Sequence, residues 1–377
     1  MKNKIRCPKC KSNKIIKKGF RKGRFVDVQK FNCQACGTSF TDKKLENATY
    51  PARVILGALN NYSLGMTLEE SAKDINKRFK IKTYPVLIGT WIKKFEDICS
   101  FIRLRKGELK NFDYKGDVLL KKEFFHKQPY TFYYHKIKAE KFLNEYFSDL
   151  RFYLLDIIKT CPDELFNEDN LRCSQLKKFN QDEVFVVRKE NYACRVADFA
   201  LKAINNNYER HEFVENLLLI NDTATFAVEI PIWLYPEEVP SELRESGIFS
   251  IEKPLTGHID ILQSRFGIIH IMDFKPGAEK VNAISQLFAY SVALGVRTGI
   301  WLHNFRCAWF DNKDYFEFSP SEIVLGEWEK KGLLEDGKID SGVLRKYCLD
   351  EKARQYYTSE RFQMKRGLGF DKKEATK

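Results

Sequence analysis

At 377 residues and 44% hydrophobic, the chain has enough apolar material for substantial buried cores and for two to four domains. No apolar run reaches the length of a membrane span, and the basic N-terminus is not followed by an apolar signal core; a soluble, cytoplasmic protein with no membrane partner is therefore expected. The net charge of +13 is unevenly placed: residues 1–44 hold 14 Lys/Arg against 2 Asp, whereas the rest of the chain nearly balances, 50 against 49. Such asymmetry points to a polyanion-binding element joined to a nearly neutral body.

The first element, residues 1–44, carries Cys7-Pro8-Lys9-Cys10 and Cys33-Gln34-Ala35-Cys36, separated by 22 residues. Each Cys-x-x-Cys turn presents two thiolates to one ion, so the four cysteines have the spacing of a tetrahedral structural zinc site. A segment this short has too little apolar material to fold without metal, so Zn²⁺ is expected to supply its folding energy. Gly37 after the second turn and the strand-like stretch from Arg24 to Asn32 make this a zinc ribbon. Lys17, Lys18, Arg21, Lys22 and Arg24 are its expected contacts with a phosphate backbone.

Residues 45–100 read as three helices: Pro51 to Asn61, a second opened by the capping box Thr67-Leu68-Glu69-Glu70 and running to Lys77 or Arg78, and a third from Tyr84 to Ile98. This layout is that of a helix-turn-helix, whose last helix would bring Thr90, Trp91, Lys93 and Lys94 to the major groove. The ribbon followed by this helical segment resembles the DNA-binding end of insertion-sequence transposases. The resemblance covers about the first hundred residues, and no Asp-Asp-Glu integrase core follows it.

Residues 101–190, expected to be a helical or mixed linker domain, interleave aromatics and lysines, as in Lys121-Lys122-Glu123-Phe124-Phe125-His126-Lys127 and Tyr130 to Lys136. Such a pattern suits either core-facing aromatics with solvated lysines, the simpler reading, or stacking against single strands. From residue 191 to 325 the elements become more telling. Arg210 to Asn216 reads as a helix with His211 and Glu215 on one face, and Phe226 to Leu234 reads as a strand. Two apolar runs follow, Gly257-His258-Ile259-Asp260-Ile261-Leu262 and Ile268 to Lys275, with Gln263 to Gly267 as the polar break of a hairpin. Asp273 and Lys275 share a strand face, and the hairpin can bring Asp260 beside Asp273. Beyond it, Gln286 and Tyr290 lie one helical turn apart.

This succession resembles the PD-(D/E)XK nuclease superfamily, most closely its RecB-like branch, with Asp260, Asp273-Phe274-Lys275 and the Gln286…Tyr290 pair as the matching motifs. The resemblance implies a restriction-endonuclease-like α/β domain with a mixed central sheet. Asp260, Asp273 and the carbonyl of Phe274 would hold Mg²⁺ or Mn²⁺, with a further ligand from the helix. Glu215 is favoured for that role over Glu212 and Glu229. Lys275 would hold the attacking water and offset charge on the phosphate. The whole chain is then a multidomain α/β protein whose ribbon and helix-turn-helix locate DNA while the C-terminal domain cuts it as a metal-dependent endonuclease. A mobile-element or defence setting accords with the resemblance, and double-strand cutting favours a homodimer. The alternatives are a DNA-binding regulator with an inactive nuclease fold and an exonuclease or repair nuclease.

Among the remaining cysteines, Cys161, Cys173, Cys194, Cys307 and Cys348 lack the clustered spacing of an iron–sulfur centre and are expected as isolated buried thiols. Residues 326–377 form a charged segment whose end, Gly367 to Lys377, is expected to be disordered.

Overall fold

In the computed structural model, residues 6–22, 28–41, 49–107, 109, 118–143, 147–180, 184–204, 207–330, 334–335 and 338–339 are described. Arg24, Cys348 and the expected disordered end lie outside the described residues. The chain divides into two compact units, Met1–Tyr114 with Phe199–Phe213, and Lys115–Asp198 with Val214–Lys377.

In the first unit, strands β1 (Ile15–Arg21), β2 (Val28–Cys33) and β3 (Ser39–Thr41) form an antiparallel sheet in that order. Helices α1 (Ala52–Ser63), α2 (Leu68–Phe79) and α3 (Pro85–Lys94) pack mutually through Ile55, Leu59, Ile75, Ile88 and Ile92, all buried. The capping box is formed: Glu70 N–H donates to Thr67 Oγ1 at 3.1 Å and Thr67 N–H to Glu70 Oε2 at 2.8 Å. The third helix is shorter than the sequence suggested, ending at Lys94 rather than Ile98. Phe95 turns inward instead, stacking on Phe199 at 4.9 Å. Glu96 and Asp97 then pair with Arg103 and Lys106 of α4 (Phe101–Lys106).

The second unit is built on a large mixed sheet. Its strands are β4 (Leu119–His126), β5 (Gln128–His135), β6 (Leu171–Arg172), β7 (Val187–Arg188), β8 (Thr225–Leu234), β9 (Leu255–Arg265), β10 (Ile268–Phe274), β11 (Phe305–Phe310) and β12 (Tyr315–Phe318). They run in the order β4-β5-β8-β9-β10-β11-β12-β7, with β6 beside β9. Helices α5 (Lys136–Leu143), α6 (Ser148–Thr160), α7 (Asp163–Asn167), α8 (Tyr192–Leu201), α9 (Arg210–Asn221), α10 (Ser241–Glu245), α11 (Ile284–Thr298) and α12 (Pro320–Lys330) accompany them. Along the main path only β10 and β11 are parallel, and such a pair needs a crossover, which α11 provides. The stretch expected as a linker therefore supplies four strands to this sheet, and β5 pairs directly with β8. Phe124, Phe132 and Tyr134 are buried while Lys121 is exposed and pairs with Glu123, so the aromatic–lysine interleaving there is that of a half-buried hairpin.

A buried polar knot fixes the start of β8. Asp222 accepts hydrogen bonds from the Ala224 and Thr225 amides at 2.8 and 2.6 Å and from Gln263 Nε2 at 2.9 Å. Lys138, wholly buried, lies 3.4 Å away and also donates to the Leu219 carbonyl. Among the described residues, no helix is long and apolar enough to cross a membrane.

Candidate functional site

The two Cys-x-x-Cys turns close on each other. Each ends in a left-handed residue, Lys11 at φ 59° and Gly37 at φ 71°, and the amides of these residues donate back to the carbonyls of Cys7 and Cys33 at 2.9 and 2.8 Å. Cys7 and Cys33 are buried. Cys7 Sγ lies 3.5 Å from Cys36 Sγ, and Cys10 Sγ lies 3.5 Å from Cys33 Sγ. All four sulfurs lie within 4.8 Å of one another, close to the separation of about 3.8 Å between thiolates at about 2.3 Å from a tetrahedral zinc. The Thr38 hydroxyl, then its amide, draw the Cys36 thiol down to about 6. Cys10 is pushed up to about 12 by Cys36, burial, Cys33 and Cys7 against the opposing Ser12 amide. Four crowded thiols resist joint ionisation unless a cation lies between them. The cluster is thus compatible with structural zinc.

Among the residues expected to meet DNA, Lys17, Lys18, Arg21 and Lys22 are exposed on or beside β1. Thr90, Lys93 and Lys94 are exposed on α3, where the Thr90 hydroxyl donates to the Val86 carbonyl at 3.0 Å. Trp91 departs from the expectation. It is 6% exposed and packs edge-on against Tyr50 at 5.1 Å, which makes it core.

The second centre forms on the β9–β10 hairpin. The expected five-residue polar break is reduced to a two-residue turn, Phe266 at φ 52° and Gly267 at φ 72°, a left-handed pair that suits the twist of a tight hairpin. Gln263 to Arg265 remain on the strand because their polarity is satisfied internally: Gln263 is 1% exposed and bonds Asp222 and Thr225, and Arg265 Nε donates to Gln263 Oε1 at 2.8 Å. Asp260 and Asp273 therefore stand opposite each other, one step beyond the Met272–Ile261 pair. Asp260 Oδ2 accepts the Phe274 amide at 3.0 Å, so Phe274 meets the site through its backbone while its ring is buried against Phe310.

Asp273 is fully buried, with Lys275 Nζ 2.8 Å from its Oδ2. Burial, then the Asp260 carboxylate, holds the Asp273 carboxyl well above the ordinary range, with Lys275 opposing. Burial alone would depress Lys275, but Asp273, Asp260 and Glu215 together raise it, so it stays an ammonium. Glu215 is 1% exposed on α9, whereas Glu212 faces solvent. Because α9 is one continuous helix, His211 and Glu215 keep their one-turn relation, and Glu215 and Asp260 offer ligand atoms within 4.8 Å of each other.

Glu229 holds φ 53° in mid-strand, a conformation costing a non-glycine residue about 1–2 kcal/mol. It lies in the row of Asp260, since its neighbours Val228 and Ile230 pair with Ile261 and Ile259. Strain of this kind gathers at functional positions. On α11, Gln286 Nε2 donates to the Tyr290 hydroxyl at 2.9 Å, and burial, then Cys173, Asp273 and Asp260, keep the Tyr290 phenol protonated. Gly257 makes room for this ring: an added Cβ would stand 2.6 Å from Tyr290 Cε1.

Sequence reasoning missed a third convergence, His126 with Cys161 and Asp163, because His126 lies more than thirty residues from the Cys161-Pro162-Asp163 turn and no motif spacing links them. Cys173 and Cys307 are isolated buried thiols as expected. No protein-family description, curated protein or solved structure matches this chain.

Proposed function

We propose that this protein is a Mg²⁺- or Mn²⁺-dependent DNA endonuclease, with the basic ribbon and helix-turn-helix as its DNA-locating part. The observation that carries this reading is Asp273, buried completely beside a second carboxylate and 2.8 Å from Lys275. Two apposed carboxylates in a dry site are costly without a compensating cation. Asp260, Asp273 and Glu215 with the Phe274 carbonyl would make an oxygen donor set that fits a hard divalent ion.

When bound, such an ion would polarise a phosphodiester and acidify a water. The chain's own residues do the rest. Lys275, kept cationic by three carboxylates, offers its protons to the phosphate and to the attacking oxygen; it is a donor, not a base. Tyr290, kept neutral and oriented by Gln286, presents a hydroxyl that can position a phosphate or water.

The full chain, supplied with Mg²⁺ or Mn²⁺, is expected to nick or linearise covalently closed supercoiled DNA, and Asp273→Ala is expected to abolish the cutting. Cutting that survives the substitution, or no cutting of supercoiled, linear or single-stranded DNA, overturns the mechanism. Digestion confined to linear ends would indicate an exonuclease instead.

A further inference from the structure

His126, the last residue of β4, Cys161 at the end of α6 and Asp163 at the start of α7 meet beside β9, on the far side of His258 from the carboxylate pair. His126 Nε2 lies 3.0 Å from Asp163 Oδ1 and 3.9 Å from Cys161 Sγ, and all three ligand atoms fall within 4.8 Å of one another. His126 is 1% exposed, and its ring lies flat on Phe166 with centroids 3.9 Å apart. Its other nitrogen, Nδ1, is 2.8 Å from His258 Nε2, and the His258 ring stacks on Tyr130 at 3.7 Å. Pro162 stands between the other two members and stiffens the turn that presents them.

Imidazole, thiol and carboxylate around one point are a donor set for a borderline transition metal, not for Mg²⁺ or Ca²⁺. With metal–N and metal–O of about 2.0–2.1 Å and metal–S of about 2.3 Å, tetrahedral ligands stand roughly 3.3–3.6 Å apart. The 3.0 and 3.9 Å separations bracket that range, so small side-chain rotations would complete the geometry. The His126–His258 contact supplies the outer support that metal-bound imidazoles use: Nδ1–H donating to His258 Nε2 leaves the Nε2 lone pair for the ion.

We propose that His126 Nε2, Cys161 Sγ and the Asp163 carboxylate form a second zinc site, distinct from the four-cysteine cluster, with a fourth position left to water. The ion would clamp the β4–β5 hairpin to the α6–α7 corner and, through His258, to the strand that carries Asp260. The proposal does not depend on the nuclease reading, since it concerns metal content and not activity.

The test is metal analysis of the full chain after reconstitution with Zn²⁺ and dialysis against excess Mg²⁺ to remove loosely held zinc. Two zinc ions per wild-type chain are expected, falling to one in His126→Ala and in Cys161→Ser, while Cys7→Ser with Cys10→Ser removes the other. With Co²⁺ in place of zinc, the Cys7→Ser, Cys10→Ser protein should retain a single-thiolate charge-transfer band that Cys161→Ser abolishes. One zinc per wild-type chain that persists in both His126→Ala and Cys161→Ser overturns the proposal. So do two zinc ions that survive both His126→Ala and Cys161→Ser.

Discussion

Asp273 is the residue at which the fold works hardest against its own solvation. Burial, then Asp260, raises its carboxyl, so the folded chain holds that proton more tightly than the unfolded chain does. The sign follows from linkage. This contribution is fully present below the unfolded value of about 3.9 and is lost as pH rises through the folded value. The metal-free protein is therefore expected to melt at progressively lower temperature as pH rises above about 4. Asp273→Asn should flatten that decline and raise the melting temperature at pH 8, each kcal/mol being worth about 2–4 °C in a protein of this size class. Added Mn²⁺ should stabilise the wild type and leave the variant unmoved; thermal unfolding with chelator and with Mn²⁺ measures both. The carboxylates and Lys275 were legible in the sequence because strand periodicity and a short turn place them together. Trp91 was misread because spacing on a helix does not say which face a neighbouring tyrosine will cover. Glu229 was legible only as a rival ligand, since nothing in its type announces a left-handed backbone.

At the scale of elements, the helix, strand, hairpin and helix were legible from apolar runs and helical spacing, and the capping box that opens α2 from its Thr67-to-Glu70 residue types. What stayed hidden was pairing over long sequence separation. β5 joins β8 across nearly a hundred residues, and β7 finds β12 over a still longer gap. Neither pairing leaves a local trace. The hairpin's polar break was read too long for a related reason: Gln263 is polar yet belongs inside, because Asp222 and Thr225 await it there. That knot joins α5, α9, β8 and β9, and breaking it should be costly. Asp222→Ala would strand Lys138 as a buried charge without its carboxylate, and a loss of about 3–5 kcal/mol in denaturant unfolding is expected. Replacing both Lys138 and Asp222 by apolar residues of similar volume should recover much of that loss.

For the molecule as a whole, charge is divided by length: the first 44 residues hold nearly all of the net +13. If the ribbon is the DNA-attracting element, affinity should fall steeply between 50 and 200 mM salt, with a log–log slope proportional to the phosphates neutralised. Replacing Lys17, Lys18, Arg21 and Lys22 by glutamine should flatten that slope more than the same number of changes on the surface of the sheet-bearing unit; fluorescence anisotropy across salt concentrations reads it directly. The strand order also sets a timetable for synthesis. The four-cysteine sheet is complete at Thr41, whereas β12, the last strand of the large sheet to be made, ends at Phe318. At about 5–20 residues per second, a ribosome needs roughly a quarter of a minute to a minute to cover that interval. The carboxylate hairpin is therefore made well after the four-cysteine sheet, so the two clusters are separated in time as well as along the chain.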